Sequence, residues 1–282
     1  MRSDTKEIYQ QKVNQVIDFI NANLHQPLML DKMADHIFVS GRQLLRIMRT
    51  ALNEPLSAYV ARQRIELAVM YMQTEKMCLT TLAEKVGYDN AQSFSKAFKK
   101  CFGQSPKAYL RELQARQMAY VKTGDNAQNH LQPVVCEENE MELVYIRIFG
   151  KYGDAEPYET AWSSLTRFMA DNEALSETTR FIGISFSNPH VTKTEQCRYY
   201  ACATTPKKIT PKGAFGTISV NRGKYAVYML KGSYSGLQGI YSQIGVNFPY
   251  SMRHAITFEE YLNSPQSAKE KDLLTKIYIP IN

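Results

Sequence analysis

The stretch T-T-L-A-E-K-V-G-Y-D-N-A-Q-S-F-S-K-A-F-K-K-C-F-G-Q-S-P-K-A-Y-L-R, Thr80 to Arg111, reads as two short helices joined by a tight turn. Thr81 and Glu84 have capping-box spacing, hydroxyl to one orphan N–H and carboxylate back to the other, which predicts a helix start there. Leu82, Ala83 and Val86 form its inward stripe. Gly87 takes positive φ without a steric penalty and ends that helix sharply. Asp89 or Asn90 then caps a second helix.

On the second helix Phe94, Ala97, Phe98 and Cys101 fall on one stripe, and Gln92, Ser95, Lys96 and Lys99 on another. The apolar stripe packs, which leaves a face of amide, hydroxyl and ammonium groups with no carboxylate. Such a face suits a DNA major groove, where base edges offer donors and acceptors and phosphates offer negative charge. The candidate contacts here are Asn90, Gln92, Ser95, Lys96, Lys99 and Lys100.

The run A-x-x-V-G-Y, then S-F-S-K-A-F-K-K, then F-G-Q-S-P-x-x-Y resembles the second helix-turn-helix of the AraC/XylS family of bacterial transcription regulators. Leu79 stands where that pattern usually has isoleucine. The resemblance implies a related helix-turn-helix upstream and a long helix between the two.

The upstream sequence supplies both. Apolar residues recur helically at Ile8, Val13, Val16, Ile17, Ile20 and Leu24, and Pro27 interrupts the pattern. Asp31 is placed to cap a short helix with Met33, Ala34 and Ile37. Ser40 and Gln43 form a capping box opening the next helix. There Leu44, Ile47 and Met48 point one way, and Arg42, Leu45, Arg46 and Arg49 the other. Arg42, Gln43, Arg46 and Arg49 are the candidate contacts, since arginine can pair with guanine O6 and N7; phosphate contact is the competing reading for the arginines. Phe38 occupies the turn position that Gly87 holds in the second unit, so the first turn is expected to differ in shape. From Leu56 to about Thr74 an unbroken helical pattern follows Pro55, with Ile65, Ala68, Val69 and Met72 as its packed side. A rigid helix there places the two recognition helices in successive major grooves, about 34 Å apart.

Charge is shared unevenly along the 282 residues. Residues 1–125 hold 18 of the 34 lysines and arginines and 12 of the 27 acidic residues, and so carry most of the formal net charge of +7. The excess sits with the helix-turn-helix pattern, as phosphate neutralisation requires. No apolar run approaches the roughly 20 residues of a membrane span, and the first residues lack a signal-peptide core, which predicts a cytoplasmic, nucleoid-associated protein. The five cysteines are odd in number and lack CxxC spacing, so buried thiols are expected rather than disulfides or zinc. The five histidines have no ligand spacing; no metal or cofactor is expected.

Periodicity fades after Arg116, and the polar stretch around Gly124 and Pro133 ends in an acidic cluster. This gives expected boundaries of 1–120 for the DNA-binding domain, 121–140 for a linker and 141–282 for a second domain. Beyond the linker, strand-like patterns occupy residues 143–149, 180–186, 198–203, 225–230 and 275–281, with helices near 157–170 and 235–244. Y-I-R-I-F-G-K-Y at 145–152 and V-Y-M-L-K-G-S-Y at 227–234 repeat one another, as do F-S-N-P at 186–189 and L-N-S-P at 262–265. The expected fold is therefore an all-α tandem helix-turn-helix domain followed by an α+β domain of two βαββ repeats, an antiparallel sheet with helices on one face.

Through I-F-G-x-Y, the single Trp162, F-E-x-Y-L at 258–262 and the closing I-Y-I-P-I, this half resembles the GyrI-like effector-binding domain. The resemblance implies a pocket for a hydrophobic or amphipathic small molecule, with Glu259 at the position of a pocket carboxylate that meets a cationic ligand in some members. Phe149, Trp162, Phe186, Tyr228 and Tyr234 are the candidate walls, with simple core packing as the alternative for each. The expected function is a sequence-specific transcription regulator, an activator, binding double-stranded DNA and RNA polymerase as a monomer and modulated by the effector. No catalytic residue is assigned. The alternatives are a C-terminal hydrolase using Glu259 and a tyrosine, or a C-terminal protein-interaction module.

Overall fold

Helix α1 (Ser3–Ala22), α2 (Leu30–His36) and α3 (Gly41–Leu52) each present one apolar stripe, and the three stripes meet in a single core. Val16, Ile17, Ile20, Met33, Ala34, Ile37, Leu44 and Met48 are buried there, together with Leu56 and Tyr59 of α4 (Leu56–Thr74). In this computed structural model, residues 3–75, 77–122, 132–153, 155–187, 192–253 and 255–282 are described. Residues up to Leu113, with Pro211–Gly216, form one compact unit; Gln114–Thr210 with Thr217–Asn282 form the other.

A second helical core follows the same logic with α5 (Leu79–Lys85), α6 (Ala91–Phe102) and α7 (Pro106–Lys122). Ile65, Ala68 and Val69 of α4 are buried, as are Leu82, Ala83, Val86, Phe94 and Phe98. Rings run edge to face from Tyr88 to Phe94 to Phe98 to Tyr109, with centroids 5.6, 5.7 and 5.4 Å apart. Full burial of each such phenylalanine stabilises by about 1.5–3 kcal/mol.

Caps set three of these helices. Ser40 Oγ accepts from the Gln43 amide (3.3 Å), Asn90 Oδ1 from the Ser93 amide (2.8 Å), and Ser105 Oγ from the Ala108 amide (3.2 Å), with Pro106 as the first residue of α7. The capping box expected from Thr81 is not formed. Helix α5 begins earlier, with Cys78 at the cap position and the Thr81 hydroxyl 3.1 Å from its sulfur. Likewise α2 starts after Met29, so Asp31 sits in the first turn, where its charge favours the N-terminal end of the dipole. In both cases the helix begins on a leucine, Leu30 or Leu79.

The two turns are alike, contrary to the expected difference. Phe38 has φ +54° and Gly87 φ +83°. The amides of Phe38 and Val39 bond to the carbonyls of Asp35 and Ala34, both at 3.1 Å. Those of Gly87 and Tyr88 bond to Glu84 and Ala83, at 3.0 and 2.9 Å. Phe38 tolerates the left-handed conformation with its side chain 91% exposed. A Cβ at Gly87 would instead lie 2.3 Å from the Leu24 carbonyl oxygen. What distinguishes the turns is length, since Asp89 lies between Tyr88 and the cap Asn90, whereas Val39 directly precedes the cap Ser40.

The second unit is built on one eight-stranded sheet: β1 (Val134–Glu138), β2 (Met141–Phe149), β3 (Phe181–Ser185), β4 (Arg198–Thr204), β5 (Phe215–Val220), β6 (Gly223–Lys231), β7 (Phe258–Tyr261) and β8 (Leu274–Ile281). Helix α8 (Ala155–Asp171) follows β2, and α9 (Leu237–Asn247) follows β6. The order is β1-β6-β8-β7-β3-β4-β2-β5. The repeats β2-α8-β3-β4 and β6-α9-β7-β8 therefore mirror each other about the central antiparallel β3–β7 pair, where Gly183 faces Glu259. β1 and β5, each preceding one repeat in sequence, are exchanged onto the other repeat's outer edge.

Three of these strands depart from the sequence expectation. β1 lies inside the stretch expected to be linker; residues 123–131 of that stretch are outside the described residues. β5, and β7, which completes the second βαββ repeat, fall outside the strand patterns read from the sequence because they are short and lack a sustained alternation. Among the described residues, no helix is long and apolar enough to cross a membrane.

Candidate nucleic-acid interface and buried carboxylate

On α3 the burial of Leu44, Ile47 and Met48 turns Arg42, Arg46 and Arg49 to solvent, with Leu45 on the same exposed side. Gln43 is half-buried, and its amide is held by the Ser40 cap. On α6 the burial of Phe94 and Phe98 leaves Gln92, Lys96, Lys99 and Lys100 exposed and Ser95 half-buried. The caps Ser40 and Asn90 bring the helices into register: Arg42 corresponds to Gln92, Leu45 to Ser95, Arg46 to Lys96 and Arg49 to Lys99. The Asn90 side chain has a structural task already, as the α6 cap.

A shallow cleft of about 480 Å³ runs along α6, lined by Leu79, Ala91, Gln92, Ser95, Lys96 and Lys99. It holds no acidic side chain, which keeps its potential positive. Leu79, the first residue of α5, lies outside the stripe from which the candidates were read. Only the fold of α5 against α6 brings it beside Gln92.

In the second unit, strand register places Tyr228, Ile277, Glu259, Gly183, Ala201 and Ile146 in one row on one face of the sheet. Both helices cover this face. Ile240 and Ile244 of α9 pack on Tyr228, Ile277 and Ile279, while Trp162 of α8 packs against Phe181, Tyr199 and Tyr261.

Glu259 is 3% exposed at the middle of this face. Its carboxylate accepts from the Tyr261 hydroxyl at 2.6 Å and the Tyr241 hydroxyl at 2.9 Å. The Tyr261 oxygen lies 2.9 Å from that of Tyr199, and since the one Tyr261 hydroxyl hydrogen points to Glu259, Tyr199 is the donor of that pair. Desolvation pushes the Glu259 pKa up, partly offset by the two hydroxyl bonds. Burial and the neighbouring carboxylate hold the Tyr199, Tyr241 and Tyr261 hydroxyls protonated, well above their ordinary range. Gly183 makes the cluster possible: a Cβ there would stand 2.4 Å from both the Tyr199 and Tyr261 hydroxyl oxygens.

Of the sequence candidates, the structure brings together Trp162, Tyr234 and Glu259. The rings of Trp162 and Tyr234 both rest edge-on against Tyr261, at 5.7 and 5.3 Å. Tyr228 shares their face farther along the row. Phe186 is a correction, since it packs on Tyr200 at 4.5 Å on the opposite face. Phe149 is another: its register opposite Arg198 turns it the same way, away from Glu259. Sequence reasoning missed Tyr199, Tyr241, Tyr261 and Gly183. Of these only Tyr261 carried a signal, through its two-residue spacing from Glu259 along one strand. A solvent-open crevice of about 780 Å³ is lined by Ser233, Tyr234, Pro265, Lys269, Glu270 and Leu273 among others; Tyr234, whose ring contacts Tyr261, is its one lining residue among the sequence candidates, and Glu259 does not line it. Among the described residues no group of His, Cys, Asp or Glu is arranged to hold a metal ion.

Residues 131–282 match the family described as a GyrI-like small molecule binding domain, and residues 33–112 match a helix-turn-helix domain family. The regulatory protein SoxS of Salmonella typhimurium is 30% identical over 105 residues, 37% of this chain and 98% of SoxS. The transcriptional activator AarP of Providencia stuartii is 34% identical over 97 residues, 34% of this chain and 72% of AarP. The transcriptional regulator AlkR of Acinetobacter baylyi is 32% identical over 93 residues, 33% of this chain. The chain spans only 30% of the length of AlkR.

Proposed function

The chain belongs to the GyrI-like small-molecule-binding family and carries an AraC-type helix-turn-helix domain ahead of it, and we propose that it is a DNA-binding transcription regulator in which each half has its own task. The two recognition helices, α3 and α6, read successive major grooves, and a hydrophobic or amphipathic cation modulates the regulator by binding at Glu259. The reading extends to an activator that engages RNA polymerase, acts in the cytoplasm and binds DNA as a monomer, because one chain already carries both reading helices.

The observation that carries the DNA part is the matching of Arg42, Arg46 and Arg49 with Gln92, Lys96 and Lys99 on two identically capped helices. Arginine pairs with guanine and glutamine with adenine, so the two half-sites are expected to differ in base preference. The effector part rests on Glu259, a fully buried carboxylate whose described hydrogen-bond partners are neutral hydroxyls. A lone buried anion is costly, and a lipophilic cation flanked by aromatic rings offsets that cost. The test is calorimetric titration of the full chain with tetraphenylphosphonium. Binding by the parent and its loss in Glu259→Gln support the reading, and equal binding by both refutes the carboxylate's role. Recovery of an amphipathic aryl ester or epoxide chemically unchanged after incubation separates a receptor from a hydrolase.

A further inference from the structure

Arg64 of α4 reaches out of its own helix to two main-chain carbonyls beyond the end of α1. Its Nε donates to the Leu24 carbonyl at 3.0 Å, and a terminal nitrogen donates to that of Gln26 at 2.7 Å. The same guanidinium lies 5.6 Å over the ring of Tyr88, in the turn of the second helix-turn-helix. Gly87 closes the arrangement from the other side, since a Cβ on it would stand 2.3 Å from the Leu24 oxygen and 2.9 Å from the guanidinium carbon. Tyr88 in turn packs edge-on against Phe94, the buried residue on which α6 is seated.

We infer that Arg64 is the positioning residue that sets the separation and phase of the two recognition helices, and with them the spacing of the half-sites the protein accepts. The inference rests on the reading that both α3 and α6 enter DNA. One end of the chain of contacts is the α1 segment that packs the first helix-turn-helix, and the other is the seat of α6. Helix α4 connects the two helix-turn-helix motifs and packs into both helical cores, but along its 19 residues a single helix still bends elastically. A side contact that joins α1 to the second turn removes that freedom. Arginine is suited to it because its planar fork serves two carbonyls at once and keeps a flat face for the tyrosine ring. Lysine can do only one of these. At the equivalent turn of the first helix-turn-helix the tie to α1 is a single one, Lys12 Nζ donating to the Ile37 carbonyl, and the Phe38 ring beside it stands 91% exposed.

A bivalent reader whose two modules are held in one geometry gains affinity only on sites of matching spacing, and loosening the joint surrenders both the gain and the selectivity. The experiment uses the full chain and duplexes recovered by selection from random DNA. Affinity is measured on the selected duplex, on duplexes with one or two base pairs added or removed between half-sites, and on a duplex keeping one half-site. Arg64→Ala and Arg64→Lys are compared with the parent, with thermal melting in parallel. The expected result for Arg64→Ala is a loss of about tenfold or more on the selected duplex, a flattened spacing profile, and single-half-site binding within about twofold of the parent. Arg64→Lys should fall between the two. Variants that keep the parental affinity and its sharp spacing optimum overturn the inference. So does a loss on the single half-site that parallels a fall in melting temperature, which marks a folding role. If the parent itself shows no spacing optimum, the two-groove reading falls, and this inference with it.

Discussion

Tyr261 donates its hydroxyl proton to Glu259 at 2.6 Å, along one strand and on one face of the central sheet. This bond stabilises the carboxylate form against the desolvation that opposes it. Removing it in Tyr261→Phe should raise the Glu259 pKa further, so that cation binding requires a higher pH than in the parent. The check is a pH series of tetraphenylphosphonium affinity. Identical pH profiles for the two proteins would contradict the assignment.

Glu259 also makes a statement about stability. Its proton affinity in the folded chain exceeds that in the unfolded chain, because burial disfavours the charge. The folded state therefore binds more protons. The contribution of this group is full below the ordinary carboxylate value of 4.5 and declines as pH rises through the higher folded value. Glu259→Gln, which carries no charge to bury, should be about 1–3 kcal/mol more stable than the parent at neutral pH and should lose this part of the pH dependence. Denaturant melts at acid and neutral pH measure it.

The two turns predict opposite outcomes for two substitutions. Phe38 holds a left-handed conformation that costs a non-glycine residue about 1 kcal/mol or more, and its exposed ring gains little from packing. Phe38→Gly should thus stabilise by roughly 0.5 kcal/mol after the entropy lost to a freer unfolded chain. Gly87→Ala meets both a positive φ and the Leu24 carbonyl, and should destabilise by about 2 kcal/mol or more. Chemical denaturation of both variants decides the matter.

Arg46 and Lys96 occupy equivalent places on α3 and α6, yet their loss should read differently. Arg46→Ala should cost about 1–3 kcal/mol on the selected duplex and relax base preference at one position. Lys96→Ala should weaken binding to all sequences alike and reduce the salt slope by about one, as loss of a phosphate contact does. Affinities in a salt series, on selected and random duplexes, distinguish the two.

Most of the helical unit is legible in the sequence because its signals are local. Gly87, the Ser40 and Asn90 caps, and the three-to-four residue spacing of Leu44, Met48, Phe94 and Phe98 each act within a turn or two. The misplaced starts of α2 and α5 show where a cap signal yields: both helices begin on a leucine ahead of the expected cap, Leu30 packed against the first core and Leu79 exposed beside α6. The sheet was legible as a repeat but not in its edges. β1 and β5 pair with the other repeat, and no local feature of V-V-C-E-E announces that exchange. The carboxylate site was legible only as Glu259 and two of its rings. Tyr199 and Tyr241 reach it from another strand and from α9, and Gly183 matters through the side chain it lacks. Such long-range coincidences are set by register, which a slip of one residue reverses, as the placement of Phe149 and Phe186 illustrates.

The central claim, that one chain reads two major grooves, is tested most directly by methylation interference on the selected duplex with the full chain. Guanine N7 lies in the major groove, so methyl groups there block a helix that enters it. The account predicts two clusters of interfering guanines or adjacent protected bases, separated by about one helical turn, roughly 10 base pairs. It further predicts that Arg46→Ala and Lys96→Ala each weaken protection in a different cluster. A single cluster, or two clusters that both respond to the same substitution, would contradict it.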